Sequence, residues 1–130
     1  MILGTGIDAV SIQRMKKLQG RVLEKMFSAS ELAEYAALES AHEDIRAQFL
    51  ASRFAVKEAY SKARGTGFCE TVVPNEISTL KEEDGRPYIL LSGKTLDNAP
   101  HCVIHLTITH EEPLAIAMVI LESASDSEEA

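Results

Sequence analysis

The stretch from Glu43 to Arg64 constrains the fold of this chain more than any other segment. It contains neither proline nor glycine. Its periodicity suits one helix of about 30 Å at 1.5 Å per residue, and Gly65-Thr66-Gly67 stops it. On a helical wheel Ile45, Phe49, Val56, Ala59, Tyr60 and Ala63 form one broad apolar stripe, the expected core face. Arg53, Lys57, Glu58, Ser61 and Lys62 share the opposite half. Ala51, Ala55, Ala59 and Ala63 permit close packing around the helix. The plain reading of the charges is a solvated face with a Glu58–Lys62 pair, worth only about 0.3–0.5 kcal/mol. Against it, Leu50 and Phe54 lie among the charges. The charged face also runs into a glycine turn, where bare backbone can approach a phosphate-bearing ligand.

The rest of the chain must fold around that helix, and 130 residues make one compact domain. Ile2 to Asp8 is small and apolar, which predicts a strand covered on both faces and ending at Asp8. Gly4 and Gly6 in it suggest close approach of another backbone or a ligand. Ser11 can cap a helix through Ile12, Met15, Val22, Leu23 and Met26, interrupted at Gly20. Ser28-Ala-Ser-Glu31 has the capping-box pattern. Beyond the glycine turn, strands are expected at Glu76–Glu82 and Arg86–Leu91, joined at Asp84-Gly85. A short helix or loop at Lys94–Ala99 leads to strands Cys102–Thr109 and Leu114–Glu122. In the first of these Cys102, Ile104, Leu106 and Ile108 face one way; His105, Thr107 and Thr109 face the other. The last is apolar on both faces, as a central or interface strand should be. These helices and strands span residues 1–122. An acidic tail, 123–130, is expected to be disordered.

Composition narrows the partners. No apolar run approaches the ~18 residues of a membrane span, and Met1–Val10 lacks the marks of a signal peptide. Cys69 and Cys102 lie far apart and read as reduced thiols of a cytoplasmic protein. The net charge of −7 conceals a split. Arg14, Lys16, Lys17, Arg21 and Lys25 form one basic group, and Arg46, Arg53, Lys57, Lys62 and Arg64 another. Local positive surface steers an anionic ligand despite the overall sign. Sparse aromatics and the negative balance argue against nucleic acid. A row of fixed cations with one carboxylate makes chemical sense at a pyrophosphate, because magnesium takes one or two carboxylates plus phosphate oxygens. Asp8 could be the second carboxylate, or a turn or capping aspartate.

Four segments together carry a resemblance: GIDAVSIQRM (Gly6–Met15), RFAVKEAYSKARGTG (Arg53–Gly67), the Asp84–Pro87 turn and HLTITHEEPLAIAMVILE (His105–Glu122). In this order they resemble the holo-[acyl-carrier-protein] synthase family, the small bacterial class of 4′-phosphopantetheinyl transferase. The resemblance implies an α+β fold, a small antiparallel-rich sheet packed with one long and several short helices over residues 1–122. It also implies a homotrimer with active sites between subunits, and magnesium held by Asp8 and Glu58. It implies coenzyme A contacts from Arg53, Lys57, Lys62, Gly65 and Thr66, and from His105, Thr107 and His110 of a neighbouring subunit. Arg14 matches a basic position that receives the acidic helix of acyl carrier protein, and Arg21 and Lys25 extend that docking surface. The chain departs from many members at Ser11-Ile-Gln13, where a glutamate is common. The implied reaction moves the 4′-phosphopantetheine arm of coenzyme A onto a carrier serine, in support of fatty acid biosynthesis. Glu58 is the candidate base, directly or through a water, with His105 an alternative; Lys62 and magnesium stabilise the phosphoryl charge. Two other classes remain open on the sequence: a trimeric module that binds coenzyme A or a nucleotide without chemistry, and a carrier-protein interaction subunit.

Overall fold

A computed structural model describes residues 1–124, so most of the expected acidic tail lies outside the described residues. The elements follow in the order β1 (Ile2–Ser11), α1 (Ile12–Met15), α2 (Arg21–Met26), α3 (Ala29–Ala37) and α4 (Glu43–Ala63). A 3-10 turn at Pro74–Glu76 then opens β2 (Ile77–Lys81), β3 (Pro87–Leu91), α5 (Gly93–Asp97), β4 (Cys102–Glu111) and β5 (Leu114–Ser123). β1, β5 and β4 form an antiparallel sheet in that order, with β5 in the centre as its two apolar faces predict. β2 and β3 form a separate two-stranded ribbon.

Alanines and glycines set how the long helix meets the sheet. A Cβ at Gly4 would stand 2.0 Å from the Ala63 carbonyl oxygen, and one at Gly6 would stand 2.0 Å from that of Ala59. The close neighbour of both glycines is therefore backbone, and only hydrogen side chains allow it. Ala51, Ala55 and Ala59 have no exposed surface. Val56, Tyr60 and Leu50 are buried beside them, each contributing roughly 1.5–3 kcal/mol by leaving water.

Four expectations are corrected. Asp8 does not end β1: the strand continues to Ser11 and Asp8 pairs with Ala117. β1 is not covered on both faces, since Leu3 and Ile7 are exposed on the side away from α4. Ile45 is exposed and drops out of the core stripe. The charged half of α4 is not a solvated face, because Arg53, Lys57 and Ser61 are buried. The last two share a physical reason. α4 lies between the sheet on one side and α1, α3 and β2 on others, so one wheel cannot divide it into wet and dry halves.

Capping follows the sequence closely. Ser28 and Glu31 make the full capping box of α3, and Ser11 Oγ accepts from Arg14 N at the start of α1. Gly20 breaks the first helix as expected, with φ 66°. Arg14 and Lys17 are thereby separated from Arg21 and Lys25, which belong to α2.

Candidate active site

Asp8 lies on the same side of β1 as Gly4, Gly6 and Val10, and therefore faces α4. One turn apart on that helix, Glu58 and Lys62 meet it. Lys62 Nζ lies 2.8 Å from Asp8 Oδ1 and donates to the Ile7 carbonyl at 3.0 Å. The ion pair of Lys62 is thus with Asp8 across the strand, rather than along the helix with Glu58. Glu58 is half-buried. Burial raises its carboxyl above the ordinary range and the Asp8 charge raises it further, while Lys62 and Arg14 pull it down. The Asp8 hydrogen bond and charge hold the Lys62 ammonium above its usual value. Asp8, Glu58, Lys62 and Arg14 accordingly form one electrostatic cluster.

This cluster suits a hard divalent cation. Two carboxylates stand close enough for one to disfavour ionisation of the other, a charge that a cation would relieve. Among the described residues no group of three His, Cys, Asp or Glu gathers at one point. An ion held by two carboxylates leaves its other positions to water and phosphate oxygens, which is the preference of magnesium. Past Lys62 the chain turns at Gly65 and Gly67, both at positive φ. Gly65 and Thr66 are exposed there, with Thr66 Oγ1 donating to the Gly67 carbonyl at 2.7 Å.

Two open cavities lie beside the ribbon, the first between it and α4 and the second between it and β4. The first, about 420 Å³, is lined by Gln48, Phe49, Arg53, Lys81, Pro87 and His110 among others. Arg53 is 8% exposed, and its guanidinium lies 4.3 Å from the Phe49 ring centroid. Burial lowers its pKa, opposed by Glu34 and Glu31, and its Nε has no hydrogen-bond partner among the described residues. His110 Nδ1 meets the Gln48 amide at 2.5 Å. The second cavity, about 550 Å³, holds Arg86, Tyr88, His105 and Thr107, with Pro87 and Ile108 common to both. His105 Nε2 lies 2.9 Å from Glu122 Oε1.

The structure therefore gathers the expected residues into two groups. Asp8, Glu58 and Lys62 stand together with Arg14. Arg53 and His110 share one cavity; His105 and Thr107 line the next. Arg53 precedes Lys62 by nine residues on α4, or about 13 Å along the axis. Lys57 belongs to neither group, and its expected coenzyme contact is corrected: its side chain has no exposed surface and its ammonium meets Glu31, Pro74 and Ile77. Arg21 and Lys25 are exposed on α2. Sequence reasoning missed Arg86, Tyr88, Lys81 and Gln48, which no spacing rule links to α4. It read Glu31 only as a cap.

With this geometry in view, relatives are informative. Residues 4–119 match the family described as "4'-phosphopantetheinyl transferase superfamily". The chain belongs to that superfamily and is a transferase. It is 42% identical over 125 residues to a holo-[acyl-carrier-protein] synthase of Staphylococcus carnosus, covering 94% of this chain and 98% of the relative. The crystal structure of a Bacillus anthracis holo-(acyl-carrier-protein) synthase in complex with CoA (3',5'-ADP) superimposes with a TM-score of 0.81 at 33% identity, over 95% of this chain and 99% of that one. A Neisseria meningitidis holo-[acyl-carrier-protein] synthase superimposes with a TM-score of 0.82 at 28% identity, over 95% of this chain and all (100%) of that one. The α+β fold expected from the sequence is the fold these structures share.

Proposed function

We propose that this chain transfers the 4′-phosphopantetheine arm of coenzyme A to a serine of apo acyl carrier protein, as a magnesium-dependent holo-[acyl-carrier-protein] synthase. The observation that carries the reading is the cluster in which Lys62 joins Asp8 across β1, with Glu58 one turn away and electrostatically coupled to both. The names of the relatives, and the CoA-bound structure among them, supply the substrates.

In this reading Asp8 and Glu58 would hold magnesium, which would supply charge neutralisation at the pyrophosphate. The serine oxygen forms a bond to the β-phosphorus and the phosphorus–oxygen bond to the leaving group breaks, releasing adenosine 3′,5′-bisphosphate. Glu58, half-buried and with its carboxyl raised by burial, takes the serine proton directly or through a water. Lys62 is fixed by Asp8 and the Ile7 carbonyl, so its charge is placed before the phosphoryl oxygens develop theirs. Gly65 and Thr66 flank the same ligand. Arg53, His105, Thr107 and His110 bind its adenosine 3′-phosphate end.

A homotrimer is the assembly that fits this division. One chain holds the carboxylates and the two cavities apart, and a neighbour bringing its cavity to this chain's Asp8 would complete a site. The outer face of the sheet supports the same reading: Leu3, Ile7, Val103, Leu114 and Met118 are all exposed there, an apolar face suited to burial between subunits. Arg14, Arg21 and Lys25 dock the acidic carrier. No helix among the described residues is long and apolar enough to cross a membrane, and the reaction belongs in the cytoplasm, in support of fatty acid biosynthesis.

The test is incubation of the protein with coenzyme A, magnesium and apo acyl carrier protein, followed by intact-mass measurement of the carrier. A gain of one phosphopantetheine unit, lost when magnesium is chelated, is the expected result. Coenzyme A binding without any gain in carrier mass would replace this reading with a non-catalytic binding module.

A further inference from the structure

The β2–β3 ribbon lies beside α4 and has a strand-edge problem that the sequence solves with two side chains. Among the described residues β2 pairs only with β3. Glu82 N donates to the Arg86 carbonyl at 2.8 Å, and Ser78 and Leu80 share its parity, so their backbone groups also turn toward β3. Ile77 and Thr79 turn the other way. That outer edge is buried, for Ile77 and Thr79 both have no exposed surface. An unpaired carbonyl or N–H there would be costly, and a two-stranded ribbon is marginal by itself.

Lys57 Nζ donates to the Ile77 carbonyl at 2.5 Å, and Glu31 Oε2 accepts from Thr79 N at 3.2 Å. Donor and acceptor alternate along the edge as the backbone of a neighbouring strand would present them. The pair is closed by Lys57 Nζ to Glu31 Oε1 at 2.5 Å, and the Pro74 carbonyl takes the last ammonium proton at 3.0 Å. Three donors meet three acceptors, which leaves Lys57 nothing to offer a phosphate. Glu31 is tied in turn to Ser28 N at 3.0 Å, at the start of α3.

The far end of the ribbon carries Lys81, Gly85 and Pro87 of one cavity and Glu82, Arg86 and Tyr88 of the other. The reacting groups are held elsewhere, through the contact of Gly4 and Gly6 with α4. We propose that the Lys57–Glu31 pair stands in for a third strand on the ribbon edge, making Lys57 a positioning residue for the coenzyme-binding cavities rather than a contact to the coenzyme. This rests on the transfer reading above.

Removing one partner strands a buried charge, so both go together. In Lys57→Met/Glu31→Leu the ribbon loses its edge partners without that penalty. The expected result is a folded protein with lost hydrogen-exchange protection at the Thr79 amide. KM for coenzyme A rises about tenfold while kcat stays within about threefold of the parent. If this variant does not fold, Lys57→Gln/Glu31→Gln removes both charges together and keeps hydrogen-bonding groups at the edge; the same split at smaller size is expected. A folded variant with unchanged KM for coenzyme A overturns the inference, because the pair would then support the fold alone. A kcat collapse with KM unchanged also overturns it, since Lys57 would then act on the reaction. Failure of the parent protein to transfer anything overturns the reaction itself, and this inference with it.

Discussion

Asp8 and Glu58 have different local reasons for being where they are. Asp8 is held in mid-strand opposite Ala117, on the side of β1 that two glycines open to α4. Glu58 projects from the helix beside it, partly buried and short of compensating charge. Asp8→Asn and Glu58→Gln keep shape and remove charge, so each is expected to lower transfer by about 10³-fold or more. Their thermal unfolding should stay near that of the parent, because neither residue is fully buried. Transfer and melting curves on the same preparations check this; near-parent turnover at saturating magnesium would remove both residues from the reaction. The proposed pairing of the two carboxylates comes from the sequence only through the resemblance. Spacing alone could not distinguish Asp8 from a capping aspartate, because its partner lies fifty residues away on another element.

At the scale of elements, two contacts make predictions about stability. Gly6→Ala places a Cβ 2.0 Å from the Ala59 carbonyl oxygen. Helix and strand must separate to accept it, which should cost about 1–3 kcal/mol in urea unfolding; an unchanged midpoint would show that the contact is slack. Glu76 organises α5 in place of a side-chain cap from Ser92, accepting at Oε1 from Thr95 N at 2.9 Å and Thr95 Oγ1 at 2.8 Å. These hydrogen bonds, the side-chain one first, hold its carboxyl below the ordinary 4.5. A lowered carboxyl stabilises the fold fully above the ordinary value, and that contribution is lost as pH falls through the lowered one. Glu76→Ala should cost about 1 kcal/mol at neutral pH, the usual value of a helix cap. Glu76→Gln should flatten the acid side of the stability profile, and an unaltered pH slope would contradict the linkage. The short-range signals behind such elements were plain in the sequence. Ser28 and Glu31 cap, Gly20 breaks, Gly65 stops and Asp84-Gly85 turns, because each acts within a few residues of itself.

For the molecule as a whole, charge distribution outweighs net charge. Arg21→Glu and Lys25→Glu, which lie outside the Asp8–Glu58–Lys62–Arg14 cluster, should raise KM for the carrier protein far more than KM for coenzyme A, and added salt should shrink the difference between parent and variant. Steady-state kinetics with each substrate varied in turn, at two ionic strengths, makes the comparison. Equal effects on both constants would place carrier docking elsewhere. By itself the sequence determined the order of elements and the caps and turns, since periodicity and local hydrogen bonding fix these. The α+β class came through the resemblance, and the last strand could be central or at an interface until the sheet order placed it. Only the tertiary structure decided which sides of α4 meet water. The helix is enclosed from several directions, so Lys57 lies buried on the edge of a ribbon whose need for a partner no local pattern announces, while Lys62 reaches across a strand to Asp8.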